Sequence, residues 1–289
     1  MEELALNILI DGTTYGMVLF VIAVGMSVTL GLMRFVNLSH GAFAMIGGYV
    51  TAHCIQAWGF GFFSATLLGV LFTIALAGTL EHTVLRHLYR RSELTQVLFT
   101  IGLSFFLIAT TNAIAGPQIQ LIALPDWLNA QVDLGFRVLP AQRLLVIAVG
   151  VIVLVAISYA VAKTRFGVWL RAAVDNPDAA ASLGIPIRLV QSTTFACGAA
   201  LAALGGVLGA ELMPLEPFYA LKYLVLVLVV VAVGGMGDIK GTFMAAWLLG
   251  TIDTASQYLA SSWGGIFFFV AMILFLARRP DGILKARET

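Results

Sequence analysis

The sequence has very few charged residues. The 16 Lys and Arg plus 15 Asp and Glu make 31 charged side chains among 289 residues, with a net charge of +1. Charged residues are 11% and apolar residues 60% of the chain, against about 25% and about 45–50% in soluble domains. This balance excludes a soluble enzyme, a disordered chain and a nucleic-acid binder. It predicts an all-α, polytopic helical membrane protein.

Cysteine and histidine are also scarce. The only cysteines are Cys54 and Cys197, and there are four histidines. These numbers exclude a disulfide framework or a CxxC site, and no histidine has metal-ligand spacing. We therefore expect no metal, no bound cofactor and no covalent catalysis in this chain. The first residues lack the basic region of a signal peptide, so we expect the first apolar run to be retained as a span.

Long apolar runs occupy most of the chain, and a span needs about 20 mostly apolar residues. We predict about nine spans in a single transmembrane domain over residues 1–289. The range is eight to ten, because the last three runs are short or interrupted by glycine. The predicted spans cover residues 7–32, 39–57, 62–85, 95–115, 141–162, 189–210, 220–235, 241–258 and 264–277.

The positions of Lys and Arg predict the orientation, because these residues concentrate in cytoplasmic loops. With the N-terminus outside and the C-terminus inside, 13 of the 16 basic residues fall on the inner side, and only Arg137, Arg143 and Lys222 stay outside. Of the two long loops, residues 116–140 are then periplasmic and residues 163–188 cytoplasmic.

The inner loop carries the signals of a short capped helix. Asn176 suits the N-cap, Pro177 the first helical position and Asp178 the positive end of the helix dipole. Gly184 can end the helix in the left-handed conformation. We predict a helix of about seven residues, too short to span, that lies on the cytoplasmic face. It either presents itself to a partner or is a simple surface connector.

Polar residues also stand where the second span begins. Asn37, Ser39, His40 and Gly41 form either a broken helix that lines a path or gate, or an ordinary helix start with Ser39 as cap and His40 at the interface. Residues 239–243 weakly echo residues 39–43 at the start of a later span.

Ionisable residues inside spans are costly and are therefore functional candidates. Asp253 lies in the eighth predicted span, where it either faces a path and holds a substrate ammonium or bonds to a neighbouring helix. Glu211 and Glu216 lie near the outer rim, where they either meet a delivering protein or are solvated. Glu81 is expected to pair with Arg86, about one turn away.

Four motifs follow one another along the chain, within residues 31–49, 167–185, 233–241 and 279–284. Their central parts are NLSHGAFAMIGGY (37–49), DNPDAAASLGI (175–185), GGMGDIKG (234–241) and RPDGIL (279–284). In this order they resemble the branched-chain amino acid permeases of ABC importers, and the resemblance covers nearly the whole chain. It extends to the H-type permease of the high-affinity system, and urea-transporting relatives share the motifs. The third motif departs from the family at Asp238, where Ser or Thr is frequent, and at the residue that follows it, Thr242, where Pro is frequent.

The resemblance implies a type II ABC-importer-like permease whose inner loop is a coupling helix docked on an ATPase subunit. Its expected partners are a second permease, two ATPases that hold ATP and Mg, and a periplasmic substrate-binding protein. Arg171 would pair with acidic groups of the ATPase or with Asp175. The expected docking set is Gly167, Arg171, Asp175, Asn176, Pro177, Ala180 and Gly184.

The resemblance further implies transport of Leu, Ile or Val across the bacterial inner membrane, with ATP hydrolysed on the partners. The first alternative is the same machine for urea, short amides or other amino acids. The second is an ion-coupled secondary transporter or channel, in which Asp253 would carry the coupling and no docking helix would be needed.

Overall fold

The computed structural model describes residues 2–33, 35–89, 91–133, 135, 137–261, 264–279 and 282–284. Each of the nine predicted spans coincides with one long helix. Five of these helices, at residues 3–31, 62–83, 93–115, 141–163 and 187–208, are long and apolar enough to cross a membrane by length and composition. The helices are α1 (Glu2–Met33), α2 (His40–Trp58), α3 (Phe62–Thr83), α4 (Glu93–Ala115), α5 (Asp126–Asn129), α6 (Ala141–Lys163), α7 (Arg165–Asp175), α8 (Pro177–Ser182), α9 (Ile187–Leu208), α10 (Tyr219–Gly234), α11 (Ile239–Leu259) and α12 (Gly264–Arg278).

Helix α1 lies at the centre of the bundle. It packs against α11, α9, α6 and α10, and α2 packs in turn on α9, α3 and α10. Residues 17–28 of α1 are all buried, which fits a helix that is apolar around its whole circumference. The hydrophobic core therefore forms around the first helix of the chain.

Small residues allow the central helices to approach closely, as is usual where lipid supplies no hydrophobic driving force between helices. A Cβ atom built on Gly206 of α9 would lie 2.1 Å from the Ala44 carbonyl oxygen of α2. One built on Gly250 of α11 would lie 2.7 Å from Cα of Gly16 in α1. At these crossings the backbones occupy the space that a side chain would need.

The outer helices expose large apolar side chains. Leu67 of α3, Phe106 of α4 and Ile152 of α6 are between 59% and 64% exposed. Contiguous apolar surface of this kind is unusual on a soluble monomer. It suits helices whose outward faces contact lipid.

The loop between α4 and α6 adds a small sheet to the helical fold. Strands β1 (Gln131–Asp133) and β2 (Val138–Pro140) pair antiparallel, with Val132 opposite Leu139. Leu128 of α5 is fully buried against Phe62 and Val207. This loop precedes α6 and the α7–α8 loop follows it, so the two loops lie at opposite ends of the bundle.

We predict that Gly206→Ala destabilises the fold, because the added Cβ overlaps the Ala44 carbonyl. The expected loss is about 1–3 kcal/mol, the usual cost of overpacking, measured as a lower thermal midpoint in detergent. Gly102→Ala in α4 is the matched control, since a Cβ there meets no atom within 4 Å. Equal losses in the two variants would contradict the close α9–α2 contact.

Candidate functional site

The loop that follows α6 folds back on the end of that helix. The Thr164 hydroxyl caps α7 by accepting from the Gly167 N–H at 3.2 Å. A Cβ on Gly167 would lie 2.1 Å from the Val161 carbonyl oxygen, so glycine is required for this close turn. The Arg171 guanidinium donates to the same Val161 carbonyl. Helix α7 is thereby fastened to α6.

Helix α8 has the predicted caps. The Asn176 side chain accepts from the Ala179 N–H at 3.0 Å, and Pro177 is the first helical residue. Gly184 has a φ of 82°, and the Ile185 N–H donates to the Ala180 carbonyl at 3.1 Å. This pattern is a Schellman-type ending. The short helix predicted from the sequence is confirmed, with six residues instead of about seven.

The residues predicted to dock differ in exposure. Gly167 and Ala180 are buried, so they shape the loop within the chain, whereas Leu183, outside the predicted set, is 83% exposed. Arg171 bonds to α6 rather than to Asp175 one turn later, so the local ion pair considered from the sequence is not formed. The exposed members are Arg171, Asp175, Asn176, Pro177 and Gly184.

The segment between α1 and α2 is buried in the bundle. The Asn37 Oδ1 atom accepts from the Ser39 N–H at 3.1 Å and from the Ser39 hydroxyl at 2.5 Å. His40 is 1% exposed, and its Nε2 atom lies 2.9 Å from the Ile22 carbonyl oxygen. Ile22 lies 11 residues before the end of α1, which is roughly 16 Å along a helix. The chain therefore turns back from the end of α1 toward its middle.

A polar stripe on α4 satisfies the backbone of this segment. The Val36 N–H donates to Gln96 Oε1 at 3.0 Å, and the Leu38 N–H donates to the Thr100 hydroxyl at 3.1 Å. The Ser104 hydroxyl donates to the Leu38 carbonyl at 3.0 Å. Non-helical backbone at membrane depth is tolerated only where the protein provides such partners.

These contacts exclude the ordinary helix start that the sequence left open. Ser39 stands at the N-cap position but accepts no capping hydrogen bond, and its hydroxyl donates to Asn37. His40 is inside the bundle and not at an interface. Gly41 is needed there because its Cβ would lie 2.3 Å from the Ala220 carbonyl oxygen. Asn37 and Ser39 lie in the braced segment before α2, and His40 and Gly41 begin α2; the role of the four residues in a path or gate stays a prediction.

Asp253 is bonded within its own helix. It is 8% exposed, and its Oδ2 atom accepts from Gln257 Nε2 at 2.7 Å. Glu81 also has partners other than the one predicted, because it accepts from the Tyr89 hydroxyl at 3.0 Å and the Ser192 hydroxyl at 2.6 Å instead of pairing with Arg86. Burial and the nearby Glu81 carboxylate raise the pKa of Tyr89.

A charged cluster that we did not predict lies at the end of the bundle opposite the α7–α8 loop. Asp11 of α1 pairs with Arg137 at 3.1 Å and with Arg143 of α6. The Tyr258 hydroxyl of α11 donates to the same carboxylate at 2.6 Å. Asp11 lies inside the first predicted span, so the rule applied to Asp253 would have found it.

Glu211 lies beside this cluster. The Gln142 amide faces the Glu211 carboxylate, and the amide orientation that satisfies both groups makes Gln142 the donor. Burial raises the pKa of Glu211, and the charge of Arg143 acts in the opposite direction. Glu216 instead pairs with Lys222 at 2.6 Å.

The apolar helices, the lipid-facing surface and the braced break define a polytopic helical membrane protein. A family model described as "Branched-chain amino acid transport system / permease component" matches residues 8–276. The chain belongs to this family of transport permease components, which confirms the resemblance found in the sequence.

Curated relatives of nearly equal length agree. The chain is 27% identical to the high-affinity branched-chain amino acid transport system permease protein LivH of Escherichia coli K12, over 96% of this chain and 94% of the relative. It is 25% identical to the permease protein BraD of Pseudomonas aeruginosa over 97% of this chain and 95% of the relative. A probable branched-chain permease LivH of Methanocaldococcus jannaschii is 24% identical over 98% of this chain and 94% of the relative.

We predict that Thr100→Val weakens the brace on the broken segment. The isosteric change removes the acceptor of the buried Leu38 N–H, which costs about 1–3 kcal/mol when left unpaired. The measurement is the thermal midpoint, together with hydrogen exchange at the Leu38 amide. Thr110→Val is the control on the same helix, because that exposed hydroxyl donates only to the Phe106 carbonyl. Identical behaviour of the two variants would refute the bracing role.

Proposed function

We propose that this chain is the permease subunit of an ATP-driven importer that moves Leu, Ile or Val across the bacterial inner membrane. The family membership and the names of the relatives support the transported class. The observation that carries the ATP-driven mechanism is the capped, exposed α7–α8 loop at one end of the bundle. An ion-coupled carrier would not need such a loop.

The contacts of the α7–α8 loop would transmit a displacement of α8 to α6. Helix α8 is rigidly capped at both ends, and α7 is fastened to α6 through Gly167 and Arg171. Force applied to α8 would therefore reach α6 instead of being absorbed by a flexible connector. Two ATPase subunits that close on ATP would apply this force and switch the permease between inward and outward openings.

The exposed surface of the loop suits a protein partner. Leu183 and Val168 are 83% and 55% exposed, and the same loop also exposes the carboxylates of Asp175 and Asp178. An apolar residue rimmed by polar ones is typical of an interaction site. We assign Asp175, Asn176, Pro177 and Gly184 to the docking face, and Gly167, Arg171 and Ala180 to the shape of the loop.

The remaining parts of the transporter follow from this assignment. ATP and Mg would bind on the ATPase subunits, and this chain would perform no covalent chemistry. A second permease would complete the pathway, and a periplasmic substrate-binding protein would deliver the substrate to the end that carries the 116–140 loop. The α7–α8 loop and the C-terminus would then face the cytoplasm, and the N-terminus the periplasm.

We predict that the reconstituted complex takes up branched-chain amino acids in an ATP-dependent way. Proteoliposomes that contain both permeases, the ATPases and the binding protein are offered labelled Leu, Ile, Val, other amino acids and urea. Uptake should be highest for the branched-chain substrates and should stop without ATP. Preferred uptake of urea would contradict the proposed substrate. Uptake driven by an ion gradient without ATP would contradict the proposed ATP-driven mechanism.

We predict that Asp175→Arg lowers the amount of ATPase that co-purifies with the permease at least about tenfold, because reversing a charge in an interface opposes its electrostatic complementarity. ATP-driven uptake should fall in parallel. Asp126→Arg is the matched control for co-purification of the ATPase, since it reverses an exposed carboxylate in the loop at the opposite end of the bundle. Undiminished co-purification and uptake in Asp175→Arg would exclude the docking assignment.

A further inference from the structure

A polar cavity of about 220 Å³ opens beside the Asp11 cluster, where the ends of α1, α6 and α11 meet. It is smaller than the roughly 300–1,000 Å³ pockets that bind drug-sized molecules, so it suits only a small ligand. Its wall combines both signs of charge with an amide and an apolar side chain. The residues that line it include Asp11, Arg143, Gln257, Tyr258 and Leu212.

The charges at this cavity would allow one of two guanidinium groups to leave Asp11 and bind a ligand. Asp11 pairs with two arginines. Arg137 holds it through two hydrogen bonds, at 3.2 and 3.1 Å, and also donates to the Asn7 carbonyl at 3.3 Å. Arg137 does not line the cavity, whereas Arg143 does. Arg143 can therefore turn to a ligand while Asp11 keeps a positive partner.

The amide of Gln257 has a fixed orientation. Its nitrogen donates to Asp253 Oδ2 at 2.7 Å, and its oxygen therefore remains as an acceptor in the cavity wall. Tyr258, one residue further, donates to Asp11 at 2.6 Å. Acceptors thus lie on the α1 and α11 sides of the cavity, and a guanidinium lies on the α6 side.

We propose that this cavity is a subsite for a zwitterionic α-amino acid on the face opposite the α7–α8 loop. Arg143 binds the carboxylate, because guanidinium and carboxylate form strong paired hydrogen bonds. Asp11 and the Gln257 oxygen accept from the ammonium, and Leu212 contacts an aliphatic side chain. Binding breaks the Arg143–Asp11 ion pair and forms two others, one between Arg143 and the carboxylate and one between Asp11 and the ammonium. The zwitterion adds no net charge, which limits the desolvation cost. This inference rests on the proposed function and specifies its substrate site.

The test measures binding to the full complex in nanodiscs, without the substrate-binding protein. The probes are labelled leucine and, in competition, leucinamide, which keeps the ammonium but lacks the carboxylate. Wild type should bind leucine saturably and leucinamide about tenfold more weakly, a difference of about 1.4 kcal/mol. Arg143→Gln should weaken leucine binding about tenfold and abolish the difference between the two probes.

Arg137→Gln is the matched control. It removes the other guanidinium from Asp11 but leaves the cavity wall intact, so the preference for leucine over leucinamide should persist. An ion pair that only holds the helices together predicts similar effects of both variants. Loss of the preference for leucine in both Arg137→Gln and Arg143→Gln would therefore overturn the subsite, as would a preference that survives in Arg143→Gln.

Two further outcomes are informative. Arg143→Lys covers the case in which the Arg143→Gln complex does not assemble. Lysine keeps the positive charge but lacks the planar guanidinium that forms two parallel hydrogen bonds to a carboxylate. Leucine should therefore bind about threefold more weakly, with the preference over leucinamide retained. Unchanged affinity would refute the role of Arg143. If wild type takes up leucine with the binding protein but binds none without it, only the subsite fails. If wild type takes up no branched-chain amino acid, the proposed function fails.

Discussion

Backbone that leaves regular helix inside a membrane must find its hydrogen-bond partners within the protein, and this constraint organises the bundle around α1. The break before α2 is held by Gln96 and Thr100 of α4 and by the contact of His40 with the Ile22 carbonyl. The break before α11 is also held by α1, because Ser27 accepts from the Gly237 N–H at 3.1 Å. The faint repeat of residues 39–43 and 239–243 thus marks two breaks that both contact α1, the first of which is also held by α4.

Much of the fold could be predicted from the sequence because long apolar runs identify membrane helices. The nine runs became nine helices, and the caps of α8 followed from Asn176, Pro177 and Gly184, whose effects are local. The partners of Glu81, Arg171 and His40 could not be predicted in this way. Each is decided by an atom of another element, such as Ser192 for Glu81, or by a turn that brings Arg171 to the Val161 carbonyl.

The position of a residue along a predicted span did not predict its surroundings in the folded chain. His40 stands at a predicted helix start, where histidine usually meets the interface, yet the turn after α1 carries it into the bundle. That turn depends on Gly41 and on the α4 stripe, which lies more than 50 residues further along the chain, with Gln96 60 residues from Val36. Asp11 could have been singled out from the sequence as an ionisable residue inside a predicted span. Its partners Arg137 and Arg143 belong to a loop and to α6, so only the folded chain reveals the pairing.

The α7–α8 loop and the Asp11 cluster share one helix, and this connects the two ends of the bundle. Arg143 stands near the start of α6, and the Val161 carbonyl that receives Arg171 stands near its end. Val161 also lines a cleft of about 440 Å³, largely open to the surface, together with Gly31, Gly237 and Lys240. A displacement of α7 would move α6 as a rigid rod and change the distance between Arg143 and Asp11. One helix is therefore sufficient to relate an event at the loop to the opening of the cavity at the other face.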